Sequence, residues 1–361
     1  MFKLINRVKL KIFVSTLLAL AVGAILVVGG CGTTTGGTEN PLEEDEGAIT
    51  LSYAFFAPAS SFPAVQMEKW AEEVEERTGG MVQVETYPGG TLLDADGMYD
   101  GILAGVADIG LGSPSYDPGR FPLLSGVSLP LGFNNATEAS LVLYDLLEEF
   151  KPQELEAFKV LTAFTNEPGY IQTVRPVESL EDLQGMELRA AGTGVQVLRT
   201  LGAAPVGMPM PEVAETVQTG VIEGTMTSRE VLMDFALAEQ LGYVVDYPMG
   251  VVTFVAVMER DRWEALPKEV QDVMEELGRE MASFTGEYHD IENVAKAMNW
   301  AKEEHSLQVI SLDDDERARW DILLEPMADE WIEEMEEKGL SGEQFLEELH
   351  RLKERHEEKV Q

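Results

Sequence analysis

The sequence predicts an α/β protein with two lobes of similar design and a group of helices toward its C-terminal end. Three observations indicate this architecture. The folded part opens with a β-α-β pattern, a helix-strand pattern occurs twice further along the chain, and the last third has helical periodicity over most of its length. Alternating helices and strands are typical of α/β folds, and an internal repeat is typical of related lobes.

The β-α-β pattern is the first predicted element group. Residues 51–56 are mostly apolar or aromatic, as expected of a buried strand. A helix is predicted next, with Trp70 on its apolar face and two glycines at its end. Residues 81–87 then alternate apolar and polar side chains before a Pro-Gly-Gly turn, which predicts the second strand.

Residues 99–113 and 214–228 share a pattern. In both stretches a helical segment ends at a Gly-Val pair, and the short strand predicted next leads to a serine. A chance match is one interpretation, and two lobes of like design is the other. Ligands of open α/β sheets bind beyond the carboxyl ends of the strands. The second interpretation therefore predicts that Ser113, Thr227 and Ser228 face one cleft from opposite sides.

The last third of the chain is predicted to be mostly helical. One helix is expected to begin at Leu266-Pro267, and another is expected over residues 320–338. A third is predicted after Ser341, which is placed to cap its first turn. Proline favours the first turn of a helix and serine favours the N-cap, so both mark helix starts. Helices of this kind usually wrap a domain or serve as struts.

The N-terminal region has the pattern of a secretory signal. Four basic residues precede an apolar run at 12–28, and small residues then lead to Cys31, the single cysteine of the chain. This run resembles a bacterial lipobox, which predicts removal of residues 1–30 and lipid attachment at Cys31. An uncleaved membrane helix is the alternative. Residues 31–47 are polar and acidic and are predicted to be a flexible tether.

Composition and motifs exclude several classes of function. The chain has 65 acidic and 26 basic residues and a net charge of −39, which excludes non-specific binding to nucleic acid. It contains no His-Glu-x-x-His motif, no Gly-x-Ser-x-Gly motif, no phosphate-binding loop and no dinucleotide-binding motif. Its four histidines lack metal-ligand spacing, and so we expect no cofactor, no metal site and no catalysis.

Arg189 is the strongest candidate for a ligand-binding residue. It ends the short strand-like run 185–189, just before a turn at 190–194. A guanidinium group is planar, always charged and able to donate two parallel hydrogen bonds to a carboxylate, so this position predicts an anion-binding clamp. A structural ion pair is the alternative, because acidic partners are abundant in this protein.

Aromatic residues at the edges of predicted strands indicate the kind of ligand. Five aromatic residues occupy such positions, where they could enclose a bound molecule: Phe55, Phe56, Tyr116, Tyr170 and Phe254. Packing in a core is the alternative for each of them. As a group they predict a small organic ligand with an apolar part.

Taken together, these segments resemble the substrate-binding subunits of TRAP transporters, a family of extracytoplasmic solute receptors. The matching segments cover nearly all of the predicted mature protein and include 70–80, 87–92, 105–108, 121–123, 129–133, 179–189, 201–206, Glu212, 220–224 and 266–271. The resemblance implies a two-lobed α/β fold like that of periplasmic binding proteins, with a ligand cleft between the lobes and extra C-terminal helices. It also implies that the polypeptide passes between the lobes more than once.

The resemblance implies specific lobe boundaries. Lobe I is expected to comprise residues 48–166 and 255–296, and lobe II is expected to comprise residues 167–254 and 297–361. The ligand stabilises the closed form of such a receptor because only that form contacts both ends of the ligand at once.

The resemblance also implies site residues. The carboxylate-binding arginine of the family corresponds to Arg189, and three further residues are expected along the cleft: Met210, Glu212 and Phe254. Members that bind a sugar acid carry a second arginine at the position of Gly169, and its absence argues against a ligand like sialic acid. A frequent asparagine of the family corresponds to Thr227, so the resemblance does not identify the polar partner of the ligand here.

The predicted function is that of a lipid-anchored extracytoplasmic receptor for a small organic anion, most simply a carboxylate. The resemblance implies membrane permease subunits as its partners and transport driven by an ion gradient. A receptor of an ATP-driven importer is one alternative, and an extracytoplasmic hydrolase on a related fold is another. The sequence leaves open the identity of the ligand and whether a metal ion accompanies it.

Overall fold

Strands of the protein form two separate sheets, and this confirms the α/β prediction. The computed structural model describes residues 48–360, so the predicted signal, the tether and Cys31 lie outside the described residues. In sequence order the strands are β1 (Ile49–Phe55), β2 (Val82–Tyr87), β3 (Ile109–Gly112), β4 (Phe158–Thr165), β5 (Tyr170–Thr173), β6 (Glu187–Ala190), β7 (Ala204–Gly207), β8 (Gly224–Thr227), β9 (Tyr243–Val245), β10 (Thr253–Glu259) and β11 (Gln308–Ile310).

The order of the strands shows where the polypeptide moves from one sheet to the other. The first sheet has the order β2-β1-β3-β10-β4, and the second has the order β11-β9-β5-β8-β6-β7. The polypeptide leaves the first sheet after β4 and returns as β10, which lies antiparallel to β3 and β4. Every strand between β4 and β10 belongs to the second sheet.

The opening β-α-β unit forms as predicted. Helix α1 (Phe62–Arg77) connects β1 to β2, and the two strands pair in parallel. Trp70 on α1 is buried against Tyr53 of β1, with ring centroids 5.4 Å apart in an edge-to-face arrangement. Gly79 follows the helix at a φ of 62°, in the left-handed region that glycine adopts at low cost.

The helix-strand repeat is present once in each sheet. Helix α2 (Met98–Leu103) leads into β3 of the first sheet, and α6 (Val213–Gln218) leads into β8 of the second. The shared glycines end the two helices in the same way, because Gly105 has a φ of 71° and Gly220 has a φ of 72°. Only glycine adopts this conformation readily, which explains why the pattern is visible in the sequence.

Two crossing segments connect the sheets side by side. Residues 166–169 lead from β4 to β5, and residues 246–252 lead from β9 to β10. The Gly169 N–H donates to the Gly250 carbonyl at 2.9 Å. The Asn166 side chain accepts a hydrogen bond from the Val252 N–H at 2.7 Å. These bonds tie the two crossings to each other at the junction between the sheets.

Helices cover the sheets and account for the C-terminal third. The remaining helices are α3 (Ala136–Phe150), α4 (Leu180–Leu183), α5 (Gly194–Thr200), α7 (Val231–Asp234), α8 (Arg260–Glu264), α9 (Lys268–Tyr288), α10 (Val294–His305), α11 (Asp314–Leu324), α12 (Met327–Glu337) and α13 (Gly342–Val360). A π-helical turn, His289–Asn293, joins α9 to α10 without a break. The predicted single helix over 320–338 is wrong, because Pro326 separates α11 from α12.

The C-terminal helices contact different parts of the protein. On α11, Glu316 accepts a hydrogen bond from the backbone N–H of Leu180 at 2.7 Å, near the second sheet. On α12, the Trp331 indole donates to the Ser125 hydroxyl at 2.8 Å, and α13 packs on α3, which covers the first sheet. The predicted assignment of residues 297–361 to lobe II stays a prediction, and these contacts place α12 and α13 beside the first sheet.

Candidate functional site

Arg189 is buried with its charge unpaired among the described residues. It lies on β6, and its side chain is only 1% exposed. Its Nε donates to the Met208 carbonyl at 2.9 Å, and its Nη2 donates to the Tyr116 hydroxyl at 3.2 Å. No carboxylate oxygen of the described residues lies within 4.0 Å of the guanidinium. The structural ion pair that the sequence left open is therefore not present within this part of the protein.

Two donors converge on the hydroxyl of Tyr116. Tyr116 follows β3 of the first sheet, whereas Arg189 belongs to the second. The hydroxyl accepts from Arg189 and also from the Met210 N–H at 3.3 Å. A carboxylate oxygen is the other kind of acceptor that suits a guanidinium and an N–H aimed at one point. The arrangement thus has the donors of an anion site, with a phenol oxygen at the acceptor position.

A small cavity beside Tyr116 brings half of the predicted site residues together. Its walls include five of them: Phe56, Tyr116, Met210, Thr227 and Phe254. Its walls also include residues that the sequence did not single out, among them Phe62, Asn166, Glu230 and Asp234. The enclosed volume is about 30 Å³, which is room for roughly one water molecule. An organic ligand therefore requires the walls to separate.

The apolar side of this cavity is aromatic. Phe62 and Phe254 meet edge to face with centroids 5.7 Å apart, and Phe164 stacks on Phe254 at 5.6 Å. Phe56 contacts Tyr116 edge to face at 5.4 Å. Flat rings in these orientations form a surface that suits a planar apolar group.

The remaining predicted residues do not line this cavity. Glu212 is exposed, and Tyr170 lies beneath Arg229, whose Cζ is 4.1 Å from the ring centroid. Ser113 is buried, and its hydroxyl has no hydrogen-bond partner among the described residues. Ser228 is buried between Asn166, which donates to it at 2.7 Å, and Glu230, which accepts from it at 2.7 Å. Ser228 therefore supports the cavity from behind.

A second, larger cavity shares Tyr116 with the first. It has a volume of about 810 Å³ and is lined by the loop 114–125, the turn 190–196 and helix α12. None of the other nine predicted binding residues lines it. We place the candidate site in the smaller cavity, because the aromatic walls and the buried polar groups converge there. Tyr116 is the residue that the two linings share, and Arg189 lines neither cavity, although the turn that follows it lines the larger one.

Burial raises the pKa values of two acidic side chains in the smaller cavity. Glu230 is 5% exposed, and burial raises its pKa well above the usual range. Burial also raises the pKa of Asp234 to about 6. His289 lies behind them, fully buried, and burial lowers its pKa to about 3, so the imidazole is neutral. The sequence did not reveal this group of residues, since His289 is far in the sequence from Glu230 and Asp234 and only the fold brings it near them.

Three of the buried groups have the arrangement of a possible metal site. Ligand atoms of Glu167, Glu230 and His289 all lie within 4.8 Å of one another. The expectation of no metal site rested on spacing in the sequence, and such spacing does not report ligands that the fold brings together.

No helix of the described residues has the length and apolar character needed to cross a membrane.

A family model matches most of the described residues. Residues 54–335 match the model of the family described as "Bacterial extracellular solute-binding protein, family 7", also called DctP. A curated relative from Rhodobacter capsulatus is called "C4-dicarboxylate-binding periplasmic protein DctP". It is 24% identical over 307 residues, which cover 80% of this chain and 92% of the relative.

Solved structures with the same fold include two TRAP solute-binding proteins. A TRAP periplasmic solute-binding protein from Desulfovibrio salexigens is 44% identical, with a TM-score of 0.75, and the match covers 85% of this chain and 96% of the relative. It was crystallised as an open complex with the C-terminus of a symmetry mate in its ligand-binding site. A marine metagenome TRAP protein specific for aromatic acids, in complex with 3-hydroxybenzoate, is 28% identical, with a TM-score of 0.81, and the match covers 86% of this chain and 99% of the relative.

Proposed function

The chain belongs to family 7 of the bacterial extracellular solute-binding proteins, the solute receptors of TRAP transporters, and on this premise we propose that it binds a small organic carboxylate through Arg189. The observation that carries the proposal is a buried guanidinium with no carboxylate within 4.0 Å among the described residues. A buried cation without a counter-ion is costly, and a ligand carboxylate offsets that cost when it binds.

The proposed clamp uses the donors that now converge on Tyr116. When the pocket opens, the carboxylate takes the place of the Tyr116 hydroxyl as the acceptor for Arg189 and for the Met210 N–H. Hydrogen bonds between charged groups are about twice as strong as neutral ones, so this exchange favours the carboxylate. Desolvation of the carboxylate offsets part of the gain.

The body of the proposed ligand is apolar and planar. Phe56, Phe62 and Phe254 form the walls that would contact it. Relatives support this ligand class, because one binds 3-hydroxybenzoate and another, 25% identical, was crystallised with copurified benzoate. The relative that holds the C-terminus of a symmetry mate in its site also accommodates a group that ends in a carboxylate.

Gly169 supports a ligand with a single carboxylate. A Cβ atom at this position would lie 3.2 Å from the Gly250 carbonyl oxygen and 3.5 Å from the Cα of Thr227. An arginine in its place would press on the neighbouring crossing segment, so the backbone here disfavours a second cation at this point. A sugar acid or a dicarboxylate would leave part of its charge without a partner.

We propose that the two lobes move apart when the ligand enters, and that this movement takes place at the crossing segments 166–169 and 246–252. The cavity of about 30 Å³ is far smaller than a binding pocket for an organic molecule, which typically measures roughly 300 Å³ or more. The proposed lobes are those expected from the sequence, 48–166 with 255–296 and 167–254 with 297–361, except that α12 and α13 are assigned to the first lobe because they contact the part of the protein around the first sheet. Ligand contacts with both lobes then stabilise the closed form.

The location of the protein is extracytoplasmic, in keeping with its family. We propose that Cys31 carries a lipid anchor and that the receptor delivers its ligand to permease subunits of the TRAP transporter. Mass spectrometry of the protein isolated from membranes tests the anchor. A mature N-terminus at Cys31 with added acyl mass supports it, and an unmodified cysteine argues against it.

The ligand proposal is tested by comparing ligands that differ only in the carboxylate. Calorimetric titration of benzoate and 3-hydroxybenzoate is expected to show saturable binding, whereas benzamide and benzyl alcohol are expected to bind far more weakly. Equal binding of benzoate and benzamide would contradict the clamp. Turnover of an added ester would favour the hydrolase alternative, and the absence of catalysis stays a prediction until that assay is made.

A further inference from the structure

Glu167, Glu230 and His289 come from three segments that meet at the inner end of the pocket. Glu167 lies in the first crossing segment, Glu230 follows β8 at the start of α7, and His289 begins the π-helical turn. All three residues are buried, and their ligand atoms lie within 4.8 Å of one another. Isolated π-helical turns within α-helices occur often at functional sites.

His289 is held with one ring nitrogen available. Its Nδ1 lies 3.1 Å from the Asn293 side-chain oxygen, which can only accept, so Nδ1 carries the proton. The other nitrogen, Nε2, therefore has a free lone pair, and it has no hydrogen-bond partner among the described residues. A histidine that donates from one ring nitrogen and presents the other is typical of a metal ligand.

The two carboxylates are also oriented by neighbours. Glu230 accepts from the Ser228 hydroxyl at Oε1, while its Oε2 has no hydrogen-bond partner among the described residues. Oε2 is 3.7 Å from His289 Nε2, beyond hydrogen-bond range. Glu167 is held by Arg229, whose Nε and Nη2 donate to its two oxygens at 2.9 and 2.6 Å. Each potential ligand thus has a fixed orientation.

We propose that these three residues bind a divalent transition-metal ion, with zinc as the best match. One imidazole nitrogen and carboxylate oxygens are ligands that zinc accepts, and three protein ligands leave further positions for water or substrate. Glu230 Oε2 and His289 Nε2 are buried acceptors without a hydrogen-bond partner among the described residues, and such atoms destabilise the folded state unless something binds them. A metal ion between Oε2 and Nε2 satisfies both.

The charge of the cluster and its access from the ligand pocket both favour a metal ion as its occupant. Glu167 and Arg229 neutralise each other, so the charge that would balance a bound cation comes from Glu230 when the cation displaces its proton, and Asp234 stands in the same cavity wall. Glu230 itself lines the ligand pocket, so an ion can reach the cluster through that pocket. A metal ion here would border the ligand and still be separate from the Arg189 clamp, on which this proposal does not depend.

Titration of the purified protein after treatment with a chelator tests the site. Calorimetry with Zn²⁺ and absorption spectroscopy with Co²⁺ are expected to show one tight site per molecule, with the spectrum of a low-coordinate cobalt ion. His289→Gln and Glu230→Gln are each expected to weaken that site by roughly 100-fold or more, since each removes a ligand. The matched control is His350→Gln, at an exposed histidine on α13, and it should leave the site intact.

The possible outcomes separate the proposal from binding to surface acids. Loss of the tight site in His289→Gln and Glu230→Gln, with retention in His350→Gln, supports it. Weak binding of several ions per molecule that no variant changes means an adventitious ion only and overturns the proposal. Circular dichroism shows whether the variants fold. If His289→Gln does not fold, Asn293→Leu supplies the test, because it removes the group that orients the ring and should weaken the site roughly 10- to 100-fold.

Discussion

Arg189 and Tyr116 join the two sheets through one hydrogen bond, in which the guanidinium Nη2 donates to the phenol oxygen at 3.2 Å. The guanidinium carbon also lies 5.9 Å from the centroid of the Tyr116 ring. In this contact the buried guanidinium of Arg189, on the second sheet, is hydrogen-bonded to the neutral phenol of Tyr116, next to the first sheet. In the proposed function a ligand carboxylate competes for the same donor, which would couple binding to the contact between the sheets.

Replacement of Arg189 by lysine tests the two-point geometry of the clamp. Lysine keeps the positive charge but cannot donate two parallel hydrogen bonds, so we expect the Kd for benzoate to rise about tenfold or more, which is about 1.4 kcal/mol. Titration calorimetry measures the change. Arg175→Lys is the control, because Arg175 is an exposed residue paired with Glu223 and should leave the affinity unchanged. An unchanged Kd in Arg189→Lys argues for a purely structural arginine.

Replacement of Tyr116 by phenylalanine tests the proposed competition. The variant removes the acceptor that Arg189 now uses, so the ligand no longer has to displace it, and affinity should increase. A neutral hydrogen bond is worth about 0.5–1.5 kcal/mol, which corresponds to roughly a 2- to 10-fold lower Kd. Tyr144→Phe on α3 is the control. A clear loss of affinity in Tyr116→Phe means that the hydroxyl binds the ligand itself.

Gly224 limits how closely β8 and β5 approach. A Cβ atom there would lie 2.2 Å from the Gln172 carbonyl oxygen, so the backbone must shift to accept alanine. Gly224→Ala should therefore reduce the free energy of unfolding by about 1–3 kcal/mol and lower the Tm by several degrees. Gly97→Ala is the control, because a Cβ there meets no atom within 4 Å. Calorimetry that finds equal Tm values for the two variants contradicts this packing.

Asp108 predicts a defined pH dependence of stability. Burial raises its pKa, but hydrogen bonds from the Ser52 N–H and hydroxyl, together with the Arg262 guanidinium, outweigh burial and lower the pKa below 3.8. A lowered pKa stabilises the folded state above the pKa of the unfolded state, and this stabilisation is lost as pH falls through the folded value.

The corresponding variant is Asp108→Asn. Its Tm should be lower than that of the parent protein at pH 7, and the difference should shrink as pH falls below about 3.8, where the parent also loses the charge. Asp96→Asn, at an exposed position, is the control and should have the Tm of the parent protein at pH 7. A difference in Tm that grows at low pH would reverse the assigned sign.

Local patterns in the sequence were sufficient to predict the main helices and strands. Gly105 and Gly220 adopt positive φ, so their positions were constrained by the backbone and visible as a repeat. The break at Pro326 was missed, although proline is a local signal, because apolar periodicity continued on both sides of it. The fold class was therefore more predictable than the ends of the C-terminal helices.

Site residues could be predicted from the sequence only where a position at a strand end is enough to bring the side chain to the cavity. Phe56 follows the end of β1 and Phe254 lies at the start of β10, and both line the cavity. Ser113 also follows a strand of that sheet, but it is buried away from the cavity walls. Glu167, Glu230 and His289 are far apart in the sequence and meet only through the fold, so no spacing in the sequence marks them.

A crystal structure of the protein in complex with benzoate tests the central claim most directly. We predict that a ligand carboxylate oxygen lies within about 2.7–2.9 Å of an Arg189 nitrogen. We also predict that the Tyr116 hydroxyl no longer accepts from that nitrogen and that the ring of the ligand lies between Phe56 and Phe254. A complex in which the carboxylate contacts another part of the protein, while Arg189 still donates to Tyr116, would contradict the account.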